Sequence, residues 1–553
     1  MIKKYFLLFF SICLFTITYA QNAIEKGLNA INEDMVEGQL RFLSSDWTEG
    51  RATGTRGAYL AADYIASMFK VYGLEPGGDM VNQRFSRAER SKGKKDRKYR
   101  GYFQNFPLIE YSPSEEQELR LITKSKASVS NMDFNYKTDF DVSSGHLSQS
   151  GSGEIIFVGY GLKDEERAYD DFEKIDLEGK IILRLSGYPG HKDPESPSHE
   201  RFAPKNRWEA YQMRRKKNEA LARKGVLAVL EVDNEGYGYK AWSDNIPFRY
   251  NSSMYEGGKK PESYYDTRMT FPGDSLNLRP PVFTISLRLA NEILSGTGID
   301  IVRFEESSAE KAKPQSGELK GKEISFTTNV DSRLINARNV VGVLKGKDTS
   351  NIIVIGGHYD HLGKHEGYIW NGADDNASGT VGVMSIARAC MQTGEVPEKS
   401  IVFAAWSGEE KGLWGSRYFA EHPYEDKNVI LNLNYDMISR DNEDDEKGNK
   451  CRMSYTEAYP ALEEISKENI ETYGIDLDVT FRPSSSARGG SDHAPFAQKG
   501  IPYFYFMAGF PPEYHQPDDH IELVNIPKMT NIIRLGYLNI WRFANSDEWM
   551  KNQ

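Results

Sequence analysis

Cysteine is scarce: the chain of 553 residues holds 3, and Cys13 falls within the first twenty residues. The other two, Cys390 and Cys451, allow at most one bridge, so a disulfide framework is excluded as what holds the fold together. Cys390 stands in "SIARACMQT", whose apolar spacing reads as the buried face of a helix, and it is expected to be a core thiol. Long apolar runs are also missing. Beyond the N-terminus no stretch approaches the roughly 20 apolar residues of a membrane span. An excess of positive charge is lacking too, since the formal net charge is -11, which argues against a general nucleic-acid binder. The local exception, "RFSRAERSKGKKDRKYRG" from Arg84 to Gly101, reads as a solvated loop. No internal repeat is apparent.

What is present begins with "MIKKYFLLFFSICLFTITYA", in which two lysines precede an apolar stretch and a small or neutral ending. That order matches a secretory signal over residues 1–20, with cleavage expected between Ala20 and Gln21. Cys13 lacks the surroundings of a lipoprotein signal. The mature protein is expected to be exported, to the periplasm or the medium, with no membrane span.

The length implies more than one domain. From Glu33 to Asp79 the apolar spacing of "MVEGQLRFLSS" and "GAYLAADYIASMFKVYGLEP" is helical, and Gly73 with Pro76 ends the second helix. From Ser150 to Leu294 the texture turns to short β-rich runs, with long loops expected between Gly236 and Pro281. This block reads as a domain inserted into another. From Asn339 on, near-continuous apolar strands alternate with amphipathic helices: "NVVGVLKG", "NIIVIGGHYDH", "ASGTVGVMSIARACMQ", "SIVFAAWSGEE", "VILNLNYDMIS", "IPYFYFM". The pattern predicts an α/β fold, a mostly parallel central sheet flanked by helices on both faces. In such folds ligands bind outside the carboxyl ends of the strands.

Those ends carry one kind of side chain. His358 and Asp360 follow "NIIVIGG", Glu409 and Glu410 follow "SIVFAAWSG", and Asp436 follows "VILNLNY"; His515 follows "IPYFYFMAGFPPEY", and Asp374 and Asp375 stand in "NGADDNASG". Singly, each has an ordinary reading, such as a helix cap for "ADDN" or acids at the positive end of a helix for "SGEEKG". Together in one crevice they would repel unless cations neutralised them. Imidazole with carboxylate and no thiolate suits zinc, with manganese or cobalt as replacements.

The ordered set "GGHYDH", "NGADDNASG", "WSGEEKGLWGS", "LNYDMIS", "RGGSDHAPFAQKGIP" and "YHQPDD" resembles the M28 family of zinc exopeptidases. The N-terminal helices with "EGR" are similar to that family's entry, and "IIFVGYGL", "YDDFEKIDLEGKIILRLSG" and "ARKGVLAVLEV" resemble a protease-associated (PA) domain. The resemblance implies a catalytic domain in two parts, 21–145 and 301–553, around a PA domain at 146–300. It implies two zinc ions: His358 and Asp436 on one, Glu410 and His515 on the other, and Asp375, placed three residues before Ser378, shared by both, with a cis peptide to Asn376. Asp360 would orient His358 through its second ring nitrogen, and Asp519 is a weaker counterpart for a similar role. Glu409 would be the general base and then acid. The implied activity is release of N-terminal residues from peptides. Two alternatives stay open: a carboxypeptidase, which would need a cation for the substrate carboxylate, with Arg488 and Arg440 as candidates, and a single-zinc glutaminyl cyclase, disfavoured by the short "KGLW" between Glu410 and Gly415. Ser491, Asp492 and His493 look like fragments of a hydrolytic triad but are read as pocket lining, and His361, His365 and His520 as surface or rim positions. Oligomeric state and side-chain preference are not legible.

Overall fold

The computed structural model describes residues 23–550 apart from 144, 146, 174, 206, 233–266, 275–279, 366, 443 and 488. The expected leader, Arg488 and most of the loop stretch 236–281 lie outside these residues. The described chain separates into two compact units, one formed by the residues up to Leu108 and from Ile335 on, the other lying between Ile109 and Leu334.

The first unit is built on a mixed sheet. Its strands are β1 (Phe103–Pro113), β2 (Val330–Leu344), β3 (Asp348–His358), β4 (Lys399–Trp406), β5 (Asn428–Tyr435), β6 (Lys450–Thr456), β7 (Asp478–Ser484) and β8 (Tyr503–Met507). They lie in the order β1-β2-β4-β3-β5-β8-β6-β7. The centre is parallel, β4-β3-β5-β8, while β2 joins β4 and β6 joins β8 antiparallel. Burial on both faces explains the unbroken apolar runs. Ile353, Ile355, Phe403 and Ala405 point into one core, and Ile352, Val354, Val402 and Trp406 into the opposite one.

The helices α1 (Glu33–Leu43), α2 (Arg56–Tyr72), α3 (Gly379–Gln392), α4 (Ala461–Tyr473) and α5 (Ile526–Asn545) supply the larger core. Asn32 caps α1 by accepting from the Met35 amide, Thr55 caps α2 at Ala58, and α2 stops at Gly73, whose φ of 91° is the left-handed conformation glycine adopts without strain. Cys390 and Cys451 are both buried free thiols. No helix among the described residues is long and apolar enough to cross a membrane. The basic segment is a short exposed helix, Arg87–Ser91, and a strand, Arg97–Arg100, that pairs with Met80–Gln83. Its charges are partly matched internally, Arg90 to Asp96 at 3.2 Å and Lys94 to Glu89 at 3.0 Å.

The second unit has its own eight-stranded sheet and core. Gln149–Phe157, Ile181–Leu185, Ala228–Val232 and Val282–Ile285 run parallel, with Gly317–Thr328 antiparallel to the first of them. The unit is wider than 146–300. Strands 118–124 and 129–134 extend the sheet beyond 317–328, and 140–143 closes its other edge, so the flanking residues belong to this core.

Candidate metal centre

The site forms where the parallel strands of the first unit end. His358 is the last residue of β3, Asp436 follows β5, and Glu409 and Glu410 follow β4 through Gly408, whose φ of 82° lets the chain turn away from the strand. Asp375 lies in the turn Ala373–Ser378 ahead of α3, and its peptide bond to Asn376 is cis. The Asn376 side chain fixes that turn, donating to the Tyr435 carbonyl at 2.9 Å and accepting from the Gly379 amide at 2.9 Å. Space there is tight: a Cβ at Gly379 would stand 2.4 Å from Asn376 Oδ1.

Five expected donors converge. His358 Nε2 lies 3.4 Å from Asp375 Oδ1 and 3.4 Å from Asp436 Oδ1. His515 Nε2 lies 3.0 Å from Asp375 Oδ2 and 3.2 Å from Glu410 Oε2. Asp375 thus faces both histidines, one oxygen toward each. His358 Nε2 and Asp436 Oδ1 are buried with no hydrogen-bond partner, which fits side chains shaped for a cation rather than for each other. His358, Asp375 and Asp436 offer ligand atoms close enough for one ion.

Three roles differ from expectation. Asp360 was expected to receive the second nitrogen of His358 on its carboxylate, but Oδ1 is 3.9 Å away and the backbone carbonyl of Asp360 takes that contact at 3.0 Å. The carboxylate is used elsewhere, accepting from Thr53 Oγ1 at 2.9 Å and from the Glu409 amide at 3.2 Å. It therefore positions the base candidate more directly than the ligand. Asp519 holds no histidine; it accepts from the amides of Asp374 and Asp375 at 3.0 Å each, pinning the ligand turn. His361, expected at the rim, is 1% exposed, and its Nδ1 meets Glu410 Oε1 at 2.7 Å. His361, Asp375 and Glu410 form a second possible ligand group. The signal was the second histidine of "HYDH", three residues past the strand end at His358. His365 and His520 are half-buried outside the cluster.

Ser491, Asp492 and His493 make no triad. Ser491 Oγ accepts from Asn434 at 2.8 Å, and His493 lies between the rings of Tyr503 and Tyr505, its centroid 4.6 and 4.7 Å from theirs. Asp492 is buried, and burial lifts its titration to about 7 against the opposing pull of His358. Arg440 binds Glu513 at 2.7 Å, so it is not a free cation for a substrate carboxylate.

Burial and mutual repulsion govern the charges. Asp374 is pushed up to about 8 by burial and by Asp519, although Ser439 donates to it from its amide and its hydroxyl. Burial acts to lower His515, but Glu410 and Asp375 outweigh it and raise the imidazole to about 10; His358 is likewise raised above its usual range despite burial, by Glu409, Asp436 and Asp375. A histidine must release its proton to ligate a metal. Apparent zinc affinity is therefore expected to fall as the pH is lowered, with protons released on binding, measurable by competition with a chromophoric chelator from about pH 6 to pH 9. A pH-independent affinity would contradict the ligand set. Arg51, Met437 and His515 all hold left-handed backbone, φ 53°, 58° and 58°, a conformation that costs roughly 1–2 kcal/mol for a non-glycine residue and tends to gather at working sites.

Fold and donor cluster together define an α/β protein with a candidate metal centre at the carboxyl edge of its sheet. The model of peptidase family M28 matches residues 339–537. Leucine aminopeptidase 2 of Arthroderma otae is 30% identical over 183 residues, 32% of this chain and 35% of that protein. Aminopeptidase YwaD of Bacillus subtilis is 31% identical over 247 residues, 42% of this chain and 49% of its own. The chain thus spans about a third to a half of the length of these curated relatives. Among solved structures, an aminopeptidase from Aneurinibacillus sp. strain AM-1 shares the fold, with a TM-score of 0.53 and 19% identity over 94% of this chain and 95% of that one.

Proposed function

We propose that this protein is an exported zinc exopeptidase that removes N-terminal residues from peptides, with residues 1–20 as its leader, two zinc ions in the crevice and a PA domain as its second unit. The observation that carries the reading is the placement of Asp375 between His358 and His515, one carboxylate oxygen on each, with Asp436 and Glu410 completing the two sides. Zinc, when bound, supplies the Lewis acidity that lowers the pKa of a water and polarises a scissile carbonyl. The chain's own residues do the rest. Glu409 takes the proton of the attacking water and delivers it to the leaving amine. Its side chain is 11% exposed against 4% for Glu410, so it reaches the open side of the crevice. Asp360 fixes its backbone, and Asp519 with Asn376 fixes the turn that carries Asp375.

A peptide library incubated with the purified protein, with and without chelator, tests the reading by mass spectrometry. Loss of one N-terminal residue, abolished by chelation and restored by zinc, is expected. Loss from the C-terminus assigns a carboxypeptidase, and loss of ammonia from N-terminal glutamine assigns a cyclase.

A further inference from the structure

One wall of the crevice carries a cation with no acidic partner among the described residues. β6 runs antiparallel to β8, with Arg452 opposite Met507 and Ser454 opposite Tyr505, and β8 runs beside β5, with Tyr505 next to Asn434. Arg452 therefore lies at the same edge of the sheet as Asp436, two strands away, roughly 10 Å by strand spacing. Between them lies a packed apolar cluster of Met437, Tyr503, Tyr505 and Met507, all buried, with Tyr514 against it. Met437 directly follows Asp436, and Tyr514 directly precedes His515 and stacks on its ring at 3.8 Å. This apolar patch thus adjoins ligands of both sides of the centre.

Arg452 is poorly satisfied there. Its Nη2 donates to Met507 Sδ at 2.9 Å, a weak acceptor, and its Nε is buried with no partner. His493, between Tyr503 and Tyr505, is held down to about 3 by burial and by Arg452, so it is neutral and offers no counter-charge. The Tyr505 hydroxyl is raised well above its usual range by burial and by Asp436, with Arg452 opposing; Glu409 and Asp375 add to the rise. Of the other arginines near the centre, Arg440 is engaged by Glu513 and Arg51 by backbone carbonyls. A half-buried guanidinium with unmet donors at the edge of an apolar cluster is matched best by a carboxylate, which accepts two parallel N–H bonds.

We propose that Arg452 sets specificity beside the metal centre by receiving a substrate carboxylate, the side chain of an aspartyl or glutamyl residue at the peptide N-terminus. The inference rests on the aminopeptidase reading. The terminal carboxylate of a very short peptide has the same chemistry, and the test separates the two sources. With zinc-loaded full-length protein, kcat/KM is compared for Glu-, Gln- and Leu-Ala-Ala-amide, and for Leu-Ala against Leu-Ala-amide. The wild type is expected to favour Glu over Gln by about tenfold or more, the order of one charge-assisted bond. Arg452→Gln brings that ratio to about one, and Arg452→Lys, which keeps the charge but not the fork, restores it in part. An equal rate for Glu and Gln, with an Arg452-dependent preference for Leu-Ala over its amide, overturns the side-chain assignment in favour of the terminal carboxylate. Ratios near one for both pairs overturn Arg452 as a carboxylate site. Calorimetric binding of free L-glutamate against L-glutamine, in wild type and Arg452→Gln, reads the same contact without turnover. Absence of all peptidase activity would count against the aminopeptidase reading, whereas equal binding of the two amino acids would count against Arg452.

Discussion

Glu409→Gln is expected to lower kcat by roughly 10²–10⁴, the usual contribution of a positioned general base, while leaving zinc content unchanged. Glu410→Gln is expected to weaken or lose one zinc ion. The two neighbours divide because the turn after β4 aims them apart. Glu410 is held from both sides, Oε1 by His361 at 2.7 Å and Oε2 by His515 at 3.2 Å, and it remains well below the usual carboxylate range because His515 and His361 outweigh its burial. Glu409 has one imidazole contact, His358 at 3.9 Å, and is raised well above the usual range by burial, with Glu410 and Asp436 adding to the rise against His358. A carboxylate stabilised as an anion is suited to ligation, and one that readily accepts a proton is suited to proton transfer. Geometry also allows a group of His358, Glu409 and Glu410, so the experiment discriminates between assignments. Elemental analysis and steady-state rates on both variants decide the matter. If Glu409→Gln loses metal, or if both variants stay active, the division of roles is wrong.

The central sheet was legible because burial on both faces writes itself as apolar runs, and its carboxyl edge was legible because His358, Glu410 and Asp436 fall at or just after strand ends. What the pattern could not carry is how far a side chain turns once the strand has ended. His361 and Asp360 differ by one residue, yet the imidazole reaches Glu410 while the carboxylate turns to Thr53 and the Glu409 amide. Asp519 was noticed for its distance from His515, whereas its partners are backbone amides that have no sequence signature. Boundaries failed for a similar reason. Strands 118–124 and 129–134 carry no motif of the inserted block, and only pairing with 317–328 assigns them to the second unit. Arg452 was invisible because nothing about a strand arginine marks it as lacking an acid.

Arg51→Met is expected to cost about 3–5 kcal/mol of stability, the range for removing one partner of a buried charged network. The residue stood in the sequence only as part of "EGR", but its guanidinium is fully buried and uses four of its five N–H groups. Nε donates to the Tyr359 carbonyl at 2.7 Å, Nη1 to Leu43 at 2.5 Å and Asn371 at 2.6 Å, and Nη2 to Gly372 at 2.9 Å. One side chain thereby ties the end of α1 to the residue after His358 and to the start of the turn bearing Asp375. Burial draws its titration down to about 10, against Asp519, Asp375, Asp360 and Glu410, whose negative charges it balances. Methionine fills much of the volume but withdraws all four donors: Leu43 keeps Thr48 Oγ1 at 2.9 Å and Gly372 keeps the Ala377 amide at 3.2 Å, whereas the Tyr359 and Asn371 carbonyls lose the Arg51 contact, at about 1–3 kcal/mol each before relaxation. Lysine keeps the charge yet cannot span four acceptors from one nitrogen, so Arg51→Lys should recover only part of the loss. Denaturant unfolding of both variants measures the stability, and chelator competition measures zinc affinity, which should weaken in parallel because the turn loses its anchor. A midpoint unchanged for Arg51→Met, or full recovery by lysine, would show that the acidic crevice is held by its own hydrogen bonds and not by this cation.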